Sequence, residues 1–337
     1  MKRFLCLFAV IALFSCTRHK AEKVERAFYY WKGNQNLQKG EQSIIKQAGI
    51  TKLYVKFFEV EPDSTFGAIP AEKVNLYFRN DSVHIIPTVY LRNEVFRKAT
   101  KDELYKLADN VDFLIRRYHG FRFSNDSLTE YQMDCDWTKS TKDNYFYFLE
   151  SLKKISKKEI SCTLRLYPYK YSDVMGVPPV DRATLMCYNM INPLENKNAN
   201  SIFDERELKS YLGRDKYPLP LDIALPTYSW MLVYQNDRFA KVLRATPSHF
   251  GNTLKSIRPM WYEATMDVVV DGFFVRKGDR IKYEFVTGQK LKNAIDIIKM
   301  RVPLDSDITV AFFHLDEEQL KPYKNEEIDH LYTRFTE

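Results

Sequence analysis

Eight short runs rich in β-branched and aromatic residues alternate along this chain with longer stretches whose apolar residues recur at helical spacing. The runs cover residues 26–31, 52–60, 83–91, 128–137, 160–167, 183–189, 221–228 and 308–314. The clearest helical stretch is 141–154, where Tyr145, Phe148, Leu149, Leu152 and then Ile155 share one face behind Ser140 or Thr141 as the cap. Strands separated by helices pair in parallel, because a parallel neighbour is reached only through a crossover connection. Eight such units in 337 residues predict an α/β chain folded as a (β/α)8 TIM barrel, with any active face at the C-terminal ends of the strands. Pro87 argues against a fully paired central strand in the third run.

One connection is too long for a simple crossover. Between the seventh and eighth runs lie two β-rich stretches, 267–275 and 280–286, joined by a Gly-containing segment at 276–279. They predict a hairpin or small sheet, inserted at about 235–286. Residues 287–300 then return to helical spacing, with Leu291, Ala294, Ile295, Ile298 and Val302 on one face.

The first residues read as an export signal. Lys2 and Arg3 precede an apolar run from Phe4 to Phe14 that is too short to span a bilayer comfortably. Leu13-Phe14-Ser15-Cys16 resembles the lipobox of bacterial lipoproteins, which implies lipidation at Cys16. The expected organisation is a signal peptide over 1–15, a tether over 16–25 and the barrel over 26–337. An ordinary signal peptide cleaved elsewhere is the alternative. The chain is expected to be exported and lipid-anchored to a bacterial cell envelope, at the outer membrane. The formal charge of +7 is spread through mixed-sign segments, which speaks against a nucleic-acid partner. Cys135, Cys162 and Cys187 each fall inside an expected strand without Cys-x-x-Cys spacing, and read as buried free thiols.

The fourth run carries the densest chemistry, in the stretch EYQMDCDWTKS over 130–140. Residues two apart share a strand face, so Gln132, Asp134, Asp136 and Thr138 point one way and Met133, Cys135 and Trp137 the other. The polar row is expected to line the barrel interior and rise to its mouth. Carboxylates there are costly unless hydrogen-bonded, and two in register at a strand end point to a site.

Asp134-Cys-Asp136-Trp137 resembles the core of the Asp-x-x-Asp-x-Asp-x-Glu motif on the fourth barrel strand of the chitinase-like, family 18 glycoside hydrolases. Met186-Cys-Tyr188-Asn189 on the sixth run is similar to that family's Met-x-Tyr-Asp, and Leu225-Pro-Thr-Tyr228 on the seventh to its Leu-Pro-x-Tyr. The resemblance implies substrate-assisted hydrolysis, in which the substrate's acetamido oxygen attacks the anomeric carbon. It makes Asp136 the acetamido-orienting carboxylate, Asp134 its supporting partner and Tyr188 the acetamido-binding hydroxyl. Thr138 stands where the motif has its acid, and a threonine hydroxyl is no useful proton donor near neutral pH. Tyr131 replaces the motif's first Asp, Asn189 replaces an Asp, and the third strand lacks a glycine pair.

Trp31, Glu59, Tyr90, Arg92, Thr138, Tyr167, Asn189, Tyr228 and Trp230 are the expected sugar-contacting residues, because aromatic faces suit sugar C–H surfaces and adjacent polar groups orient them. Tyr29, Phe57, Tyr169 and His314 also fall near strand ends, and Glu59, Glu94 and Glu263 are candidates for a displaced acid. His314 reads as a strand-end polar residue, since no other histidine lies at metal-binding spacing, and neither metal nor cofactor is expected. Two functions stay open. One is an envelope lipoprotein that binds N-acetylhexosamine-containing glycans on a degenerate barrel. The other is an active, divergent glycoside hydrolase with a relocated acid.

Overall fold

The structure, a computed structural model, describes residues 19–32, 35–73, 75–77, 82–123, 127–195, 198–213 and 215–337. The expected signal peptide and Cys16 lie outside the described residues. Eight parallel strands form the barrel: β1 (Lys23–Tyr30), β2 (Lys52–Asp63), β3 (His84–Leu91), β4 (Glu130–Asp134), β5 (Glu159–Arg165), β6 (Arg182–Met186), β7 (Leu221–Pro226) and β8 (Asp307–Phe313); a ninth strand of the same sheet, Gly67–Ala71, pairs antiparallel with the end of β2. Each pairs with the next, and β8 returns to β1 with Ala311 opposite Ala27, which closes the sheet into a barrel. The main connecting helices are α1 (Lys39–Gln47), α2 (Lys101–Arg122), α3 (Lys142–Ser156), α4 (Glu205–Tyr211), α5 (Gly288–Arg301) and α6 (Asn325–Thr333).

Strand alternation separates two environments. On β4, the Tyr131 hydroxyl turns outward and donates to Asp112 of α2 at 2.8 Å, whereas Gln132 turns inward and donates through Nε2 to Thr184 of β6 at 3.1 Å. The inward residues at the N-terminal end of the barrel are charged and paired, as burial requires. Lys52 lies 2.6 Å from Glu25 and 3.7 Å from Glu130, and Arg182 lies 2.9 Å from Asp222. Ser161 donates to Glu130 at 2.5 Å, and the Thr309 amide donates to Asp222 at 2.7 Å. This base leaves no open channel through the barrel: Tyr29 and Tyr54 stack directly above it, with ring centroids 5.0 Å apart.

Several expected boundaries shift. β1 starts at Lys23, and the backbone is already docked before it: His19 N–H donates to Lys299 O at 2.7 Å and Ala21 N–H to Phe335 O at 3.0 Å. Residues 19–25, expected as tether, therefore belong to the barrel, because β8 and its flanks offer acceptors for their amides. β4 ends at Asp134, not 137. β5 gives way after Arg165 to a short helix, Leu166–Lys170, with Pro168 in its first turn, where a missing N–H does no harm. Pro87 does sit in a strand paired on both sides. It lies opposite Val55, and the ladder to β4 starts only at Thr88, so the missing donor falls just outside it. Thr141 occupies the cap position of α3, but its hydroxyl donates to Asn93 at 2.5 Å and does not cap the helix amides.

The insertion begins at Trp230, earlier than expected. Its sheet runs in the order Arg238–Leu243, Trp230–Gln235, Arg280–Glu284, Trp261–Ala264, Leu254–Arg258. Met231, Val233, Phe250 and Ile281 are among the residues of its own small core. The stretch 267–275 folds on itself, as Val268–Val270 against Phe273–Val275, across Asp271 (φ 52°) and Gly272 (φ 70°). That Asp-Gly turn outcompetes a hairpin across 276–279, because left-handed φ at both central residues matches the twist of a two-residue hairpin. The strand 280–284 pairs instead with 230–235 and 261–264. Cys135, Cys162 and Cys187 are buried free thiols.

Candidate functional site

β4 delivers both carboxylates of the sequence motif to the barrel mouth. Asp134 is the last strand residue; it is half-buried and accepts a hydrogen bond from Thr163 of β5 at 2.6 Å. Burial and the neighbouring Asp136 charge raise its carboxyl to about 6, against the pull of Thr163 and Arg165. Asp136 follows in the loop, about half exposed, and is held by Arg165 Nε at 2.8 Å. Arg165 was not among the residues picked from the sequence. Ser161, Thr163 and Arg165 alternate with Ile160, Cys162 and Leu164, a polar inward row of the same kind as that on β4.

On one side of this pair stand β1, β2 and β3. Tyr90 is in register with Asp134, and burial together with the charges of Asp136, Asp134 and Glu59 pushes its hydroxyl up to about 12. Glu59 is buried, with Arg92 Nε at 2.6 Å and Lys56 Nζ at 3.9 Å. Trp31 packs on Tyr29 and Phe313, at centroid distances of 5.7 and 5.6 Å. On the other side, Tyr228 donates its hydroxyl to Asn189 and meets Tyr188 edge-on at 6.1 Å. Phe313, also missed from the sequence, lies 5.6 Å from both tyrosine rings, so one side chain links the two walls. Trp230 is fixed through Nε1 by Glu284 at 2.8 Å.

Two buried polar atoms in this region, Tyr188 Oη and Gln132 Oε1, have no hydrogen-bond partner among the described residues, and the buried Tyr29 hydroxyl meets Thr184 and Gln132. Both tyrosine hydroxyls are raised by burial and feel the Asp134 charge. Beside Asp136 opens a cavity of about 540 Å³ lined by Trp137, Thr138, Lys139, Arg165 and Tyr167, among others. Tyr167 is exposed there against Tyr171, with centroids 4.7 Å apart.

The other picked residues lie as follows. Thr138 is not a strand residue; it is exposed in the turn before α3, its hydroxyl within 3.1 Å of those of Ser140 and Thr141, though it lines the same cavity as Asp136. Phe57 faces outward and stacks on Phe123 at 5.6 Å, because a register irregularity between Lys56 and Phe58 rotates the strand. Tyr169 is buried against Tyr217 at 5.5 Å, away from the mouth. Glu94 pairs with Arg97 at 3.3 Å and lines a separate groove. Glu263 lies within the insertion sheet, in register with Lys255 and Arg280. Burial of the His314 ring pushes its imidazole down to about 4, and its Nδ1 has no hydrogen-bond partner among the described residues.

No sequence family and no curated protein matches the chain. Solved structures do. The spore cortex-lytic enzyme SleL of Bacillus megaterium QM B1551 aligns over 93% of this chain and 74% of its own, at 14% identity and a TM-score of 0.53. The second catalytic domain of the Ostrinia furnacalis Group II chitinase aligns over 93% and 96%, at 11% identity and a TM-score of 0.51. The immunomodulatory chitinase of Trichuris suis aligns over 92% and 99%, at 14% identity and a TM-score of 0.50. The chain shares the barrel fold of these two chitinases and of SleL.

Proposed function

We propose that the protein binds N-acetylhexosamine-containing glycans in the barrel mouth and does not cleave them. The observation that carries this is the buried Tyr188 hydroxyl near Asp134, which has no hydrogen-bond partner among the described residues. An unpaired buried polar atom is costly, and a ligand amide or hydroxyl would satisfy it. Trp31, Tyr90, Tyr228, Trp230 and exposed Tyr167 supply the aromatic faces that sugars use. The fold neighbours named as chitinases, and the spore cortex-lytic enzyme, give the choice of ligand its chemistry. Against cleavage stands the lack of an acid at Thr138. Glu59 is tied to two cations, and Glu94 and Glu263 lie elsewhere.

The test is titration with an N-acetylglucosamine tetramer, followed by mass spectrometry of the products. The wild type is expected to bind and leave the tetramer intact. Tyr188→Phe should weaken binding about tenfold, the scale of one lost buried hydrogen bond, without lowering stability. Unchanged affinity in Tyr188→Phe would overturn the reading. One observation favours hydrolysis instead: Asp134, raised to about 6, still carries a proton in a useful fraction of molecules near neutral pH. Cleavage by the wild type that disappears in Asp134→Asn would establish that reading. We also propose that the chain is exported and held to an envelope membrane through lipid on Cys16, on the strength of the apolar run and the Leu-Phe-Ser-Cys sequence.

A further inference from the structure

The cavity beside Asp136 has an uneven charge that the glycan reading, on which this inference rests, does not use. Its charged lining residues are Asp136, Arg165 and Lys139. Asp136 and Arg165 neutralise each other at 2.8 Å, while exposed Lys139 makes no ion pair among the described residues. Arg165 is also only partly used. A guanidinium has five N–H donors in one plane; Asp136 accepts from Nε and, at a longer 3.4 Å, from one Nη, and the rest have no acceptor among the described residues. A free ammonium and an unfilled planar fork, next to the exposed Tyr167 face, form a receptor for an anion attached to a sugar ring. We propose that this cavity selects glycans whose N-acetylhexosamine units carry an anionic substituent, a carboxylate or a sulfate ester, over the uncharged polymer.

Three probes test it: the N-acetylglucosamine tetramer, a tetramer of the same backbone bearing O-linked carboxylates, and one bearing O-sulfates. Each is titrated against wild type and Lys139→Gln at low and high salt. Lys139 is exposed, so the variant should fold. The expected result is that an anionic tetramer binds about fivefold tighter than the neutral one, the upper range for a solvent-exposed ion pair. That advantage should vanish in Lys139→Gln and shrink in high salt. A gain for either anion that is lost in Lys139→Gln supports the inference. Equal binding of neutral and anionic tetramers, or an advantage that survives Lys139→Gln, overturns this inference and leaves the glycan reading standing. Failure of every tetramer to bind overturns both.

Discussion

Asp134 is caught between a buried setting that favours its proton and two groups, Thr163 and Arg165, that favour its charge. The first effect wins, so the native carboxyl titrates at about 6 against an ordinary 3.8. Between those values the native state holds a proton that the unfolded chain has released. Stability therefore falls as pH rises through that window and stays lower above it. Asp134→Asn removes the titration and keeps an oxygen for Thr163 to donate to. It should melt higher than the wild type at pH 8 and alike at pH 4; a difference independent of pH would contradict the assignment. Thr138→Glu is the second test at this scale. A carboxyl in the turn before α3 would stand in the cavity beside Asp136, and the variant is expected to acquire slow cleavage of the N-acetylglucosamine tetramer, seen as shorter products by mass spectrometry. No product after long incubation would mean that Asp136, held by Arg165, does not orient the acetamido group for attack. Asp134 and Asp136 were legible because two acids two apart stand out in an apolar strand. Arg165 was not, because one arginine after a leucine resembles any strand end.

All eight barrel strands were legible as elements, since a two-residue period bounded by helical stretches leaves little choice of pairing. Their ends were not. β4 and β5 stop earlier than their apolar runs because local bonds intervene: the Thr138 carbonyl accepts from Thr141 and Lys142, and Leu166–Lys170 closes its own helical turn. The insertion shows the same limit. Its strands were visible, but not their pairing, nor the fully buried ion pair at 2.5 Å between Lys282 and Glu284 on its central strand. Glu284 also accepts from the Ser201 amide and hydroxyl and from Trp230, while Lys282 donates to Ala199 O at 2.6 Å, so the pair clamps the loop after β6 to the insertion. Glu284→Gln leaves the Lys282 charge buried without its partner. A loss of about 3 kcal/mol is expected in denaturant unfolding, with new protease sensitivity around 198–203. A loss below about 1 kcal/mol would show that the clamp relaxes.

No helix among the described residues is long and apolar enough to cross a membrane. If lipid on Cys16 holds the chain, Cys16→Ala should move it from the membrane fraction to the soluble fraction of cells that express it; retention of the variant on membranes would count against the anchor. The docking of residues 19–23 beneath the barrel then sets an orientation. These residues bond to Lys299, Ser306 and Phe335 at the end of the barrel opposite the mouth. Only three peptide links separate Cys16 from His19, a reach of at most about 11 Å. A lipid there would bring the charged base against the headgroups and point the mouth outward, about 20 Å above them, given the length and usual tilt of a barrel strand. Such a cup cannot sample the bilayer it stands on; whatever fills it must arrive from the far side, as a polymer lying parallel to the membrane would.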